Sequence, residues 1–210
     1  MGALLDARSW PTAIGPELIW GLFVRGLGVL FVISFISLVG QVVTNSGRDG
    51  GLPVGLRLRR IEQDFPSARR FYYFPTLLWL NGSDAMLRAL AVVGIGAGVL
   101  TIYGGPFGYA GLVGCYVCYL SLDTPVGLIF PWDSLLFEST VLALFLPHVR
   151  ALPNLEALSA PAPALAWAYR ILLFRLMFGF GKQKFFGSRN KDLSYLKGFL
   201  VAQPLPSPLG

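Results

Sequence analysis

Charged positions are sparse along this chain, and the uncharged runs between them set the expected architecture. Hydrophobicity begins at Leu18 and continues to Val43, interrupted by Arg25, with no charge between Gly26 and Gly47. From Ala89 to Leu122 there are 34 residues without a charge, divided by Tyr103-Gly104-Gly105-Pro106-Phe107-Gly108. Two more apolar stretches cover about 128–146 and 164–180. A helix crossing a bilayer takes about 20 mostly apolar residues. The pattern therefore predicts an all-α fold, a polytopic transmembrane helix bundle of about five spans over 18–43, 85–103, 107–122, 128–146 and 164–180.

The intervening segments have their own character. Residues 1–17 form a mixed N-terminal tail with Asp6, Arg8 and Glu17. The apolar stretch after it starts too late and is too long for a cleavable signal peptide. Residues 44–70 read as a loop, with turn signals at Asn45-Ser46-Gly47 and Gly50-Gly51-Leu52-Pro53. Phe71–Leu80 is aromatic and apolar but too short to span, so it reads as a re-entrant or interfacial piece, since Trp and Tyr favour the headgroup level. Asn81-Gly82-Ser83-Asp84 leads into a helix that Ser83 or Asp84 caps. It also matches a glycosylation sequon, but one abutting a span and poorly reached. Gly94 and Gly98 share a helix face and allow close approach of a neighbour. Asp123-Thr124-Pro125 reads as a hinge, and Pro147 ends the fourth span. A Pro- and Ala-rich connector over 147–163 follows it, and a basic extramembrane segment over 182–210 follows the bundle region 18–181.

Composition strengthens this reading. Hydrophobic residues make up 54% of the 210 and charged residues 13%, with a mean hydropathy of +0.61. A soluble domain carries about 25% charged residues, so a water-soluble globule is excluded. Sixteen Phe, eight Tyr and five Trp exclude disorder. The net charge of +6 is not a nucleic-acid footprint, because no basic and aromatic segment of the RNA-binding sort is present. Six arginines lie in 44–70, and five basic residues follow residue 181. Five spans would put both groups on one side, which the positive-inside rule makes cytoplasmic. Cys115 and Cys118 sit in an uncharged stretch and read as small residues packing one helix face. With a single histidine, His148, no metal site is expected, and no cofactor.

The candidate functional residues are charges where charges are costly. Arg25, Asp133, Glu138, Arg170 and Arg175 fall in or beside apolar segments, and Trp132 adjoins Asp133. Such a group at mid-bilayer costs about 2.5–3.5 kcal/mol even on insertion scales. These side chains should therefore face the bundle interior, pair, or lie near an interface. Glu138 is the deepest carboxylate by sequence, with Arg175 or Arg25 as its expected partner. Structural clamps between helices are favoured over a polar substrate cavity. Asp133 and Glu138 are five apart and so do not share a helix face. No nucleophile elbow or phosphate loop is present, so no catalytic residue is assigned. His148 reads as interfacial, and Lys182 and Lys184 as snorkelling residues. An ion-coupled transporter would show an internal repeat, and none is found.

Two blocks carry a family resemblance. Phe130-Pro131-Trp132-Asp133-Ser134-Leu135-Leu136-Phe137-Glu138-Ser139 resembles the Trp-Asp-x-Leu-Leu-x-Glu block of the lipase maturation factor family. Arg170-Ile171-Leu172-Leu173-Phe174-Arg175-Leu176-Met177-Phe178-Gly179 is similar to that family's Arg-x-Leu-x-Phe-Arg-Leu-Met-Phe-Gly block. The stretch from Asp192-Leu193 to Leu209 agrees in spacing, and Trp20 to Gln41 agrees more weakly. The resemblance implies a non-enzymatic membrane protein that assists maturation of secreted lipases or related exported clients. Its partners would be membrane lipid and a client lipase, the latter engaged by a C-terminal region beyond this N-terminal part. The location implied is the endoplasmic reticulum membrane in animals and the inner membrane in bacteria. Lys182-Gln183-Lys184-Phe185-Phe186-Gly187 departs from the Cys-containing stretch of animal members and is closer to the bacterial branch. The family arrangement puts the N-terminus in the cytosol, opposite to the charge count. We follow the family, because folded loops overrule such counts. The alternative is a membrane-embedded enzyme acting on a lipid-soluble substrate, broadly like the vitamin K-dependent carboxylase membrane domain. It would need a dry polar cavity lined by Arg25, Glu138, Arg175 and Lys182.

Overall fold

A computed structural model of the chain describes residues 15–126 and 131–186. Among the described residues the regular elements are helices, with one isolated bridge between Val149 and Ala157. In chain order the helices are α1 (Pro16–Ser46), α2 (Val54–Asp64), α3 (Arg69–Tyr73), α4 (Asp84–Tyr103), α5 (Gly105–Val126), α6 (Pro131–Ala143) and α7 (Pro163–Phe186), with a single 3₁₀ turn over Leu77–Trp79. The chain divides into two units, Met1–Ala162 and Pro163–Gly210.

In the first unit α4 packs along both α1 and α5. Pro16 opens α1 at a position where its missing N–H would have had no partner. Phe31, Phe35 and Val42 of α1 are buried, yet its opposite face is apolar as well, with Ile19, Leu30, Ile33 and Ile36 more than half exposed. A helix of a water-soluble protein carries polar residues on its outer face. Here that face suits hydrocarbon. The same holds for α4, which buries Leu87, Leu90, Ala91 and Ala97 and exposes Val92, Val93 and Val99.

The α1–α4 contact depends on absent side chains. A Cβ at Gly94 would collide with the Phe35 ring, and one at Gly98 would lie 2.6 Å from Val32 Cγ2. Across the seam, Gly28 lies against Gly98 and Thr101. The expected small-residue face is therefore used within the chain. Between α4 and α5, Gly111 approaches Ala97 and Thr101 equally closely. Cys115 and Cys118 are buried free thiols, with Cys115 Sγ 3.8 Å from the Gly94 carbonyl, as expected for packing residues.

The expected breaks fall where the sequence placed them. Ser83 caps α4, its Oγ accepting from the Met86 N–H at 3.3 Å. The Asp84 carboxylate accepts from the Arg48 N–H at 2.8 Å. The α4–α5 hairpin turns at Gly104 and Gly105, whose φ values of 80° and 64° lie in the left-handed region that glycine alone tolerates freely.

Two expectations change, and a third falls partly outside the described residues. Residues 44–70 are not only loop, because α2 occupies Val54–Asp64 and buries Val54, Leu58 and Ile61 while its arginines face outward. The many arginines mask the apolar stripe there. Asp123-Thr124-Pro125 is not a hinge, because α5 continues to Val126, with Thr124 Oγ1 donating to the Leu120 carbonyl at 2.8 Å. In the segment 128–146 the described helix is α6, of 13 residues, and 127–130 lie outside the described residues.

Among the described residues, three helices are long and apolar enough to cross a membrane: α1, α4 and the Pro163–Lys182 part of α7. Helix α5 has the length, but Tyr109, Tyr116, Tyr119 and its glycines dilute its apolarity. The second unit is described as α7 alone, an apolar helix exposing Ile171, Leu173, Phe174, Met177 and Phe178.

The glycine seam generates a prediction. Gly94→Val should lower the stability of the detergent-solubilised protein by about 1–3 kcal/mol through overpacking against Phe35. Gly96 has nothing within 4 Å of an added Cβ, so Gly96→Ala should be neutral or slightly stabilising. Thermal unfolding of both variants checks this, and equal midpoints would sink the assignment of Gly94 to the seam.

Candidate functional site

The most heavily bonded charged side chain described is Arg25, which is 5% exposed. Its Nη1 donates to the carbonyls of Leu155 at 2.7 Å and Gly21 at 3.2 Å. Its Nη2 donates to those of Arg150 at 2.7 Å and Asn154 at 2.8 Å. Arg25 therefore does not pair with Glu138. A planar guanidinium presents donors in a fixed fork, and here the fork gathers three carbonyls of one loop.

That loop, 147–162, is folded although it has no helix. The Gly105 N–H donates to the Val149 carbonyl and the Leu152 N–H to the Tyr103 carbonyl, both at 3.0 Å. The Ala157 N–H donates to the Glu17 carbonyl at 2.9 Å. Gly21 of α1 is essential to this seat, since a Cβ there would strike the Leu155 carbonyl. Gly104 is equally constrained by the Arg150 carbonyl. The loop thus covers α1 from Glu17 to Arg25. The rest of α1, residues 26–46, has no charge and matches the length of about 20 residues that one span requires. Arg25 marks the edge of the apolar span instead of interrupting it. His148, exposed at this end, has its ring 5.2 Å from that of Tyr109.

The second buried polar contact joins α5 to α6. Tyr119 Oη donates to Asp133 Oδ1 at 2.7 Å. Around it, the Tyr119 ring lies 5.7 Å from Phe31, 5.6 Å from Phe35 and 5.5 Å from Phe137. Asp133 is 6% exposed and Asp123 7%, whereas Glu138 is only half-buried. By exposure, Asp133 and Asp123 are the more buried of these carboxylates. Tyr119 went unrecognised because a tyrosine inside an uncharged run gives no signal of its partner. Three further hydroxyls in the helices are satisfied locally: Thr101 bonds the Ala97 carbonyl at 3.0 Å, and Ser121 and Thr140 bond those of Val117 and Leu136 at 2.7 Å. Such i−4 bonding removes the cost of a hydroxyl in an apolar setting.

The remaining candidates are less gathered. The Trp132 side chain lies outside what the structure describes. On α7, Arg170 stacks over the Trp167 ring at 4.9 Å from its centroid. Arg175 is exposed on the same helix. Among the described residues no group of His, Cys, Asp and Glu is arranged to hold a metal.

Described elements that are all helices, with lipid-suited outer faces and small-residue seams, define an α-helical membrane protein. Residues 19–210 match the lipase maturation factor transmembrane domain, and the chain belongs to the lipase maturation factor family. It is 30% identical over 217 residues to lipase maturation factor 1 of Bos taurus, covering 97% of this chain and 38% of the relative. Lipase maturation factor 1 of Homo sapiens is 28% identical over 198 residues, covering 90% and 35%. Lipase maturation factor 2 of Gallus gallus is 33% identical over 172 residues, covering 78% and 24%. The chain thus spans well under half the length of these relatives. No solved structure matches it.

The Arg25 fork is directly testable. Arg25→Met removes four charge-assisted hydrogen bonds and should cost about 3 kcal/mol or more. The amides of Gly105, Leu152, Ala157 and Leu158 should exchange with deuterium at least about tenfold faster. Arg25→Lys should give an intermediate result, since an ammonium lacks the fork. Unchanged exchange in Arg25→Met would show that the loop holds itself.

Proposed function

We propose that this chain is the membrane part of a lipase maturation factor, a non-enzymatic chaperone-like protein that assists folding of secreted lipases or related exported clients. Membership of the family over residues 19–210 carries this reading. The relatives are named for lipase maturation. The membrane would be that of the endoplasmic reticulum in a eukaryotic cell or the inner membrane in a bacterial one. Client contact would lie mainly in the additional length of the relatives, with the helices anchoring and positioning it.

Within this reading the chain crosses the membrane five times, through α1, α4, α5, the segment containing α6, and α7. The ends of the first-unit helices support alternate crossing. Glu17 of α1, Tyr103 of α4, Gly105 of α5 and the 147–158 loop meet at one end. At the other end Arg48 meets Asp84, and Thr76 Oγ1 donates to the Ser121 carbonyl of α5 at 2.7 Å. Tyr119 lies about 21 Å along α5 from Gly105, at 1.5 Å per residue. Asp133 is bonded to it, and α6 leads from there back to the loop at the Gly105 end. The enzyme alternative loses a residue, because both terminal nitrogens of Arg25 are engaged by backbone carbonyls.

The test is rescue. Cells lacking their own lipase maturation factor should regain secreted lipase activity when given the full-length protein, by about tenfold or more, with lipase mRNA unchanged. Arg25→Met should rescue less, in proportion to its lost stability. Full expression and correct membrane insertion with no gain in lipase activity would refute the proposed role.

A further inference from the structure

The arginine-bearing side of α2 borders a hollow of about 650 Å³, whose lining includes Arg48, Gly55, Leu56, Arg59, Ser83 and Asp84. Its depth relative to a membrane follows from the helices that flank it. Helix α1 ends at Ser46 and α4 begins at Asp84, and both are long and apolar enough to span. Arg48 and Asp84 therefore lie where one leaflet's headgroups lie. We propose that this hollow binds the phosphate of an anionic phospholipid, with Arg48 and Arg59 on the headgroup and Leu56 and Leu52 against the upper acyl chain. The inference rests on α1 and α4 crossing the bilayer and goes beyond the maturation role.

Three observations support a lipid. First, both guanidiniums are exposed, and neither has a protein hydrogen-bond partner among the described residues. The Asp84 carboxylate, which also lines the hollow, already accepts from the Arg48 N–H at 2.8 Å. Second, α2 is fixed in orientation, because Val54, Leu58 and Ile61 are buried. Arg57, Arg59 and Arg60 are thereby held outward on a rigid helix. Third, the same surface is amphiphilic. Leu56, which lines the hollow, and Leu52, next to its Pro53, are each 63% exposed. Arginine beside exposed leucine fits a phospholipid better than a free anion, which offers nothing to the leucines. A juxtamembrane Lys or Arg typically adds about fivefold to affinity for an anionic leaflet, so two arginines on one headgroup give a selectivity that can be measured.

The experiment uses the full-length protein in nanodiscs of phosphatidylcholine, with or without phosphatidylglycerol. Bound lipid is counted by native mass spectrometry, and thermal unfolding is followed in parallel. The wild type should retain phosphatidylglycerol selectively and unfold at a higher temperature when it is present. Arg48→Gln with Arg59→Gln should lower phosphatidylglycerol affinity by about tenfold to thirtyfold. Gly55→Glu is a second route. A Cβ there meets nothing within 4 Å, and an acid in the first turn favours the helix. This variant should keep its stability in phosphatidylcholine yet lose the phosphatidylglycerol effect. Arg60→Gln, on α2 but outside the hollow, should keep most of it. If Arg60→Gln loses as much as the double variant, the attraction is general surface charge and the site is wrong. If inorganic phosphate in phosphatidylcholine discs stabilises the wild type equally, the lipid assignment is wrong. Failure to insert into discs would overturn the spans themselves, whereas insertion without selectivity overturns only the site.

Discussion

A guanidinium engaged by the carbonyls of Gly21, Arg150, Asn154 and Leu155 holds one end of this molecule together. An arginine on an apolar helix is tolerated where polar groups meet its charge, and here the backbone of a distant loop engages both terminal nitrogens. The loop in turn needs donors for carbonyls that no helix ladder supplies. The exchange defines three things at once: the seat of the loop, the close approach that requires glycine at 21 and 104, and the start of the uncharged part of α1. Removing the guanidinium would leave those carbonyls without their donor, which is the costly half of the asymmetry in hydrogen bonding.

Elsewhere the same constraint is met on a smaller scale. Thr101, Ser121, Thr124 and Thr140 bond carbonyls one turn back. Tyr119 and Asp133 satisfy one another across two helices, inside a ring of Phe31, Phe35 and Phe137. Helix association in such surroundings draws on close packing more than on water exclusion. That explains why Gly94, Gly98 and Gly28 bring α1 and α4 together, with the large aromatic Phe35 filling the space that Gly94 leaves.

The two ends of the first unit differ in chemistry. One end is a closed loop bound to α1, with its carbonyls turned inward to Arg25. The other carries α2, with arginines and aromatic residues turned outward and Val54, Leu58 and Ile61 turned in. An outward basic and aromatic surface next to spanning helices suits a lipid headgroup layer.

The sequence by itself determined the apolar runs, the hairpin turn at Gly104-Gly105, the Ser83 cap and the family, because each depends on neighbouring residues or on contiguous blocks such as 130–139 and 170–179. Helix α2 was also legible, as Val54, Leu58 and Ile61 repeat at helical spacing, but the arginines drew attention to charge instead of period. Only the tertiary structure decided the partner of Arg25, which lies 125 to 130 residues away in three of its four bonds. It likewise decided that Asp133 and Asp123, not Glu138, are the buried carboxylates. The physical reason is common to both. How deep a charge lies and what it bonds depend on which distant segment folds over it, and a polar group's position within an apolar run carries no record of that segment.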